Sequence, residues 1–425
     1  MSSTATSSPS TASSSVTSSA EPPRSLEHPL PGGMRDLLPE ETRNRRAVAR
    51  RVLDRFALFG YGLVTPPAFE FADVLERGLG TLDPAEVLRF VEPESGEVAA
   101  LRPDMTPQIA RMIATRLHDR PPPYRLCYEG TVLRRRSQRA RKHRQIPQVG
   151  IELAGIAGPT GDLELLAVAA DALRAAGLGT FTIDLGDAGI VRALLDGAPE
   201  HVVLRVTDAL AKKDEAELFE RASAAGLEHT AALCDLVRLH GGRDAITEGL
   251  RLLARTPAAP AAARLLELFD AASARGLEPH LTADLAEVRG FAYYTGTIFH
   301  IYAPGPGEAI GAGGRYDELL GRFGAPMPSV GFALDLDSLS WALRAANVPL
   351  AEDARVIVVG NDDDARVARL RREGVGAIAM EGAALALEYA RSWGFAFVVD
   401  GDRVIDVTSG EVSAESPIAR FLKGA

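Results

Sequence analysis

Residues 187–281 are rich in alanine, leucine and arginine and are helix-patterned throughout, and strand signals stand on both sides of them. This block constrains the fold more than any other feature. A sheet whose strands are parted by so long a helical stretch cannot be a plain alternation of strand and helix, so the block reads as an insertion. On its N-terminal side, Pro39 with Glu40 and Glu41 starts a helix, since proline suits the first turn and acids suit the positive end of the helix dipole. Val48, Val52, Phe56 and Phe59 recur at helical spacing, and Gly60 ends the run. Residues 63–71, with Pro66 and Pro67, read as an extended edge. Strands are expected at 101–105, 124–133, 148–154 and 181–185, with a helix at 162–176 closed by Gly177. After the block, strands are expected at 299–302 and 329–332 with a glycine-rich bend between them. Clustered strands and segregated helices make an α+β unit.

From Val348 the pattern alternates: strand 356–359, helix 362–373, strand 377–380, helix 383–393, strands 395–399 and 403–407. That is a small C-terminal α/β domain with a partly parallel sheet. The expected layout is a disordered Ser/Thr-rich tail over residues 1–28, a core over 29–347 carrying the insertion, and a C-terminal domain over 348–425. The tail has almost no large apolar side chains to offset its ordering entropy.

Among the 425 residues no apolar run reaches the ~18–20 residues of a membrane span. The two cysteines, Cys127 and Cys234, are far apart and form no CxxC, which fits a reducing, cytoplasmic setting. The net charge of −10 argues against a generic polyanion binder, though not against a local basic patch. Glycine-loop, HExxH, GxSxG and strand-linked GxGxxG motifs are all missing from the sequence, so nucleotide hydrolysis, zinc catalysis and serine hydrolysis are not indicated. No metal or cofactor is expected.

Three segments carry chemistry. Residues 101–106 read LRPDMT and can present Asp104 and Thr106 to a small ligand, although such a stretch alone is as readily a turn. Residues 124–152 hold Arg134, Arg135, Arg136, Arg139, Arg141, Lys142 and Arg144, which make either a solvated hairpin or an anion contact. Just beyond, Gln148 and Glu152 are four apart on a strand and share a face. Residues 289–296 read RGFAYYTG, where Arg289 beside Tyr293 and Tyr294 can clamp a carboxylate or simply pack.

In this order the segments resemble the class II aminoacyl-tRNA synthetase catalytic domain, in its histidyl branch. Residues 31–39 resemble that branch's N-terminal signature, 66–75 its motif 1, 128–152 its motif 2, 289–296 its RGLDYYTG element, and 313–317 with 330–334 the approach to motif 3. The resemblance implies a large antiparallel sheet flanked by helices and a homodimer built on motif 1. It assigns Asp104, Thr106 and Gln148 to an α-amino group, Glu152 and Tyr294, with Tyr293 adjacent, to an imidazole, and Arg134 and Arg289 to a carboxylate. The departures fall on the nucleotide clamps. Arg136 stands where motif 2 has a glutamate, Asp335 where motif 3 has a glycine, Ser338 where motif 3 has its arginine, and Ala292 where RGLDYYTG has its aspartate. Losing one preorganised charge stabiliser costs about 10²–10³ in rate, so adenylate formation is expected to be lost while the amino-acid pocket stays.

A kept pocket without ATP clamps is similar to the regulatory subunits of short-form ATP phosphoribosyltransferase. That similarity implies a non-catalytic chain in a hetero-oligomer with the short-form catalytic subunit, self-association as a dimer, L-histidine as an effector, and neither nucleic acid nor membrane as partner. A divergent histidyl-tRNA synthetase and a repurposed amino-acid- or RNA-binding module are the other readings.

Overall fold

In the computed structural model, residues 30–79, 86–135, 144–289, 294–349, 355–361 and 365–413 are described. The expected tail at 1–28 lies outside them. The chain runs through α1 (Pro39–Leu58), β1 (Gly62–Val64), β2 (Phe69–Phe71), α2 (Ala72–Leu79), β3 (Arg89–Val91), β4 (Val98–Leu101), α3 (Thr106–Arg116), β5 (Tyr124–Leu133) and β6 (Gln145–Ala154). Next come α4 (Pro159–Ala176), β7 (Thr182–Asp187), α5 (Ala188–Leu194), α6 (Glu200–Lys212), α7 (Glu215–Ala224), α8 (Thr230–Leu236), β8 (His240–Gly241), α9 (Arg243–Leu253), α10 (Ala259–Ala272) and β9 (Leu281–Asp284). The remainder is β10 (Thr297–Tyr302), β11 (Gly311–Arg315), β12 (Ser329–Asp335), α11 (Leu336–Ala345), β13 (Val356–Val359), α12 (Ala365–Arg372), β14 (Ala377–Met380), α13 (Ala383–Trp393), β15 (Phe397–Asp400), β16 (Arg403–Asp406) and β17 (Val412–Ser413).

One nine-stranded sheet, in the order β1-β5-β6-β12-β11-β10-β7-β9-β8, organises most of the chain. Its central run from β5 to β7 is antiparallel throughout. Only β1 against β5 and β7 against β9 are parallel. The fold is α+β, as the sequence indicates, with helices α5 to α10 inserted between β7 and β9.

Alternation along β6 shows how the sheet divides its faces. Val149, Ile151 and Leu153 point into the larger core, where Val48, Val52 and Phe56 of α1 and Leu165, Leu166 and Leu173 of α4 are also fully buried. Phe56 meets Phe332 edge-on at 5.7 Å. Each such large apolar side chain contributes about 1.5–3 kcal/mol on burial. Gln148, Gly150 and Glu152 face the other way. There a smaller core of Met105, Ile109 and Ile113 from α3 packs with Tyr128, Val132, Tyr316 and Leu320. Asp104, Thr106, Gln148 and Glu152, expected from the sequence to form a site, lie on this side.

Several local expectations need correction. The strand read at 101–105 lies earlier, as β4. Pro103 lacks an N–H for a ladder, and Asp104 Oδ1 accepts from the Thr106 N–H at 3.1 Å, so the chain turns into α3. The single edge read at 63–71 is two strands parted by Pro66 and Pro67. β1 edges the large sheet, whereas β2 joins β3 and β4 in a separate three-stranded sheet. The glycine-rich segment 311–315 is a full strand, β11, invisible to apolar periodicity because glycine carries no side chain. The insertion also contains the two-residue β8, paired with β9. Near the C-terminus β13 is parallel to β14 and β15, and β15 is antiparallel to β16, as the alternating pattern implies.

Candidate functional site

The second face of the sheet is floored by glycines. Gly130, Gly150, Gly314 and Gly331 each stand where an added Cβ would collide with a side chain of the site: Arg102 and Met105, Tyr128, Tyr294, and Glu152 with Tyr316, respectively. Bare backbone is what lets these polar groups lie flat on the strands.

Glu152 is the centre of a first cluster. It is 4% exposed. Thr106 Oγ1 donates to its Oε1 at 2.5 Å, and the Tyr316 hydroxyl donates to its Oε2. Tyr128, 1% exposed, packs in the same core as Tyr316 and Met105. Burial and, to a lesser degree, the Asp104 charge hold the Glu152 carboxyl well above the usual carboxylate range, against the pull of the Thr106 hydroxyl. Tyr294, tilted against Tyr316 with ring centroids 6.4 Å apart, is likewise pushed above its ordinary value by burial and by the charges of Asp104 and Glu152. Its carbonyl accepts from Arg192 Nη2 at 2.9 Å, which ties the segment to α5.

Asp104 and Arg134 form the rim. Arg134 Nη2 lies 3.1 Å from Asp104 Oδ2, and its Nε donates to the Pro103 carbonyl at 2.5 Å. Gln148 sits on the same face as Glu152. Its Oε1 is buried and has no hydrogen-bond partner among the described residues. A buried acceptor of that kind is costly unless a donor from outside completes it.

The site therefore brings Asp104, Thr106, Arg134, Gln148, Glu152 and Tyr294 to one face. Arg289 is in a neighbouring cluster. Its Nε donates to both oxygens of Glu287 at 3.0 Å, and its Nη1 to the Tyr302 hydroxyl at 2.5 Å. Glu287 is 4% exposed, yet its carboxyl is held below the usual range, because the pull of Arg289 and His300 outweighs the push of burial. Tyr293, Ala292 and the basic residues 136–143 lie outside the described residues.

Tyr316, Tyr128 and Glu287 were not singled out from the sequence. Tyr316 falls within residues 313–317, the stretch that resembles the approach to motif 3, but that resemblance gives it no role of its own. Arg315 in that run is locked to Asp162 at 2.9 Å and to Asp317 at 2.9 Å, which fixes the base on which Tyr316 stands.

Chemically, the first cluster offers, among the described residues, a buried carboxyl fed only by hydroxyls, an amide oxygen without a partner and an arginine at the rim. These suit a small molecule bearing N–H donors at one end and a carboxylate at the other. The described residues contain no helix long and apolar enough to cross a membrane.

Comparison with known proteins gives a consistent picture. The family model "Histidyl-tRNA synthetase" matches residues 33–339. A protein of Anaeromyxobacter sp. called "ATP phosphoribosyltransferase regulatory subunit" is 44% identical over 340 residues, covering 78% of this chain and 97% of the relative. A protein of the same name from Moorella thermoacetica is 37% identical, covering 88% and 92%. Among solved structures, one from Bacillus halodurans titled "ATP phosphoribosyltransferase regulatory subunit/histidyl-tRNA synthetase" superposes with a TM-score of 0.75 at 29% identity, covering 88% of this chain and 98% of that one. A histidyl-tRNA synthetase from Nostoc shares the fold at a TM-score of 0.75 and 24% identity, with 94% and 99% covered.

Proposed function

The chain belongs to the family of ATP phosphoribosyltransferase regulatory subunits, and on that premise we propose that it activates a separate short-form catalytic subunit in the first step of histidine biosynthesis. It is a regulatory subunit and not itself the enzyme. The observation that carries this is the start of α11. Asp335 Oδ1 accepts from the N–H groups of Asp337 and Ser338 at 2.9 and 3.0 Å, and Ser338 is fully buried. Asp337 is in turn paired with Arg35 at 2.5 Å. In the synthetases that this chain resembles, this turn carries the arginine that grips the triphosphate. Here it is filled by the chain's own carboxylates, which repel a polyphosphate.

In this reading Asp104, Thr106, Arg134, Gln148, Glu152, Arg289, Tyr293 and Tyr294 form a pocket for L-histidine as feedback effector. Glu152 takes the imidazole, and Gln148 with Asp104 takes the amine. Thr106 acts chiefly through Glu152, to which its hydroxyl is already given. Phe69 and Phe71 of β2 and Leu63 of β1 are exposed and supply the apolar contact of a dimer built on motif 1. Residues 348–425 form a separate domain, and the complex works in the cytoplasm without a cofactor, nucleic acid or membrane.

Mixing the purified chain with a short-form catalytic subunit tests the reading. The expected result is a complex by size exclusion and a faster transfer from phosphoribosyl pyrophosphate to ATP, slowed again by histidine. No complex and no change in rate overturns it. So does histidine-dependent ATP–pyrophosphate exchange by this chain alone.

A further inference from the structure

Beside the pocket, the oxygens of Asp184, Asp284 and Glu287 all lie within 4.8 Å of one another. Among the described residues, Arg289 and Lys213 pair with this group, and His300 Nδ1 lies 3.5 Å from Glu287. Arg289 takes Glu287, and Lys213 Nζ reaches Asp284 at 2.7 Å. Lys213 comes from the insertion, at the turn between α6 and α7, and stands in the left-handed region at φ +57°. A residue with a Cβ rarely stays there without a tie. Its ion pair with Asp284 is such a tie, and it fastens the α6–α7 hairpin to the end of β9.

We propose that this cluster couples the pocket to the insertion: a ligand carboxylate that recruits Arg289 away from Glu287 leaves Lys213 as the main cation of the group and tightens its hold on the α6–α7 hairpin. The inference rests on the reading that the pocket takes histidine. The physics is charge balance. Three close carboxylates repel one another, so when Arg289 turns to a ligand, the attraction of the group for the cations that remain rises. Tyr294 packs over Gly314 in the row that crosses the sheet from Glu152 through Gly331, Gly314 and Ile298 to Gly186, over which Glu287 packs, so a ligand seated on Glu152 shares a face of the sheet with Arg289's partner. The exposed Lys212, 2.7 Å from Asp208 on α6 and 3.8 Å from Glu217 on α7, makes these contacts within the hairpin itself and is outside this circuit.

Linkage sets the test. If histidine tightens the Lys213 contact, loss of that contact weakens histidine by the same factor. L-histidine is titrated calorimetrically into the full chain, and amide hydrogen exchange is followed over residues 200–224. The wild type should bind, with exchange in the hairpin slowed on binding. Lys213→Met and Lys213→Gly, the second of which also relieves the left-handed backbone, should bind histidine about 3–10-fold more weakly and lose the slowing. Lys212→Met should behave as wild type. Binding with an unresponsive hairpin, or with an unaltered response in both Lys213 variants, overturns the coupling and leaves the pocket standing. Failure of the wild type to bind histidine overturns both.

Discussion

Glu152 and Glu287 are each 4% exposed beside the same sheet, yet their carboxyls are pushed in opposite directions. The difference is in what the chain provides. Glu287 has a guanidinium on both oxygens and His300 3.5 Å away. Among the described residues, Glu152 accepts from two hydroxyls and no cation. A carboxylate neutralised from within is a tie between segments. One supplied only with hydroxyls gains most from a cation or N–H donor arriving from outside, so it marks where a ligand belongs.

The largest test of this contrast is Glu287→Ala. Stranding Arg289 and opening the cluster should cost about 3–5 kcal/mol in urea unfolding at pH 7. The pH dependence has a definite sign. A glutamate whose folded value is depressed stabilises the fold above its ordinary value of 4.5 and loses that contribution as pH falls through the folded value. Equal stabilities of variant and wild type at pH 7 would mean that Glu287 ties nothing.

Glu152→Gln should act the other way. Removing a charged hydrogen bond should weaken histidine by about 1.5–3 kcal/mol, read by calorimetry, while the unliganded protein becomes more heat-stable. A glutamate whose folded value is raised costs stability as pH rises from 4.5 through that value. The gap in melting temperature should therefore be small at pH 4 and widen toward pH 8. A variant less stable than wild type at pH 8 would put Glu152 in the same class as Glu287.

Gly331→Ala asks whether the floor matters as space. The added Cβ meets Glu152, Tyr316 and the Ile151 carbonyl at once. Overpacking of this kind costs about 1–3 kcal/mol and should abolish histidine binding, measured by thermal unfolding and titration. Retained affinity would show that the hydroxyl pair on Glu152 is dispensable.

Why part of this was readable in the sequence, and part was not, has a physical answer. β5 is legible with both its ends because Tyr124–Leu133 carries β-rich residues between turn signals, and α4 at its C-terminal end because Gly177 takes φ +102° there, while its start lies at Pro159 and not at 162. The shared face of Gln148 and Glu152 follows from period two alone. Glycine strands gave no such signal: β11 holds three glycines in five residues, and its role is to leave room, which no side-chain pattern reports. Long-range partners were equally hidden. Tyr316 meets Glu152 across 164 positions, and Lys213 meets Asp284 across 71. Residue types showed that acids and arginines were available, but only the fold shows that Arg289 is given to Glu287.

Asp335 extends the comparison to a third carboxylate, one whose Oδ1 accepts from the backbone N–H groups that open α11. Those groups have no partner within the helix, and a capping carboxylate satisfies them. Asp335→Ala should therefore cost about 1 kcal/mol, whereas Asp335→Asn, which keeps an acceptor, should stay close to wild type in the same denaturant titration. Nucleotide affinity should not rise in Asp335→Ala, because Asp337 remains beside the turn and Ser338 offers no guanidinium. If the alanine variant were as stable as wild type and bound ATP, the closed turn would be a matter of one side chain, and the separation of this chain from the synthetases would rest on Ser338 alone.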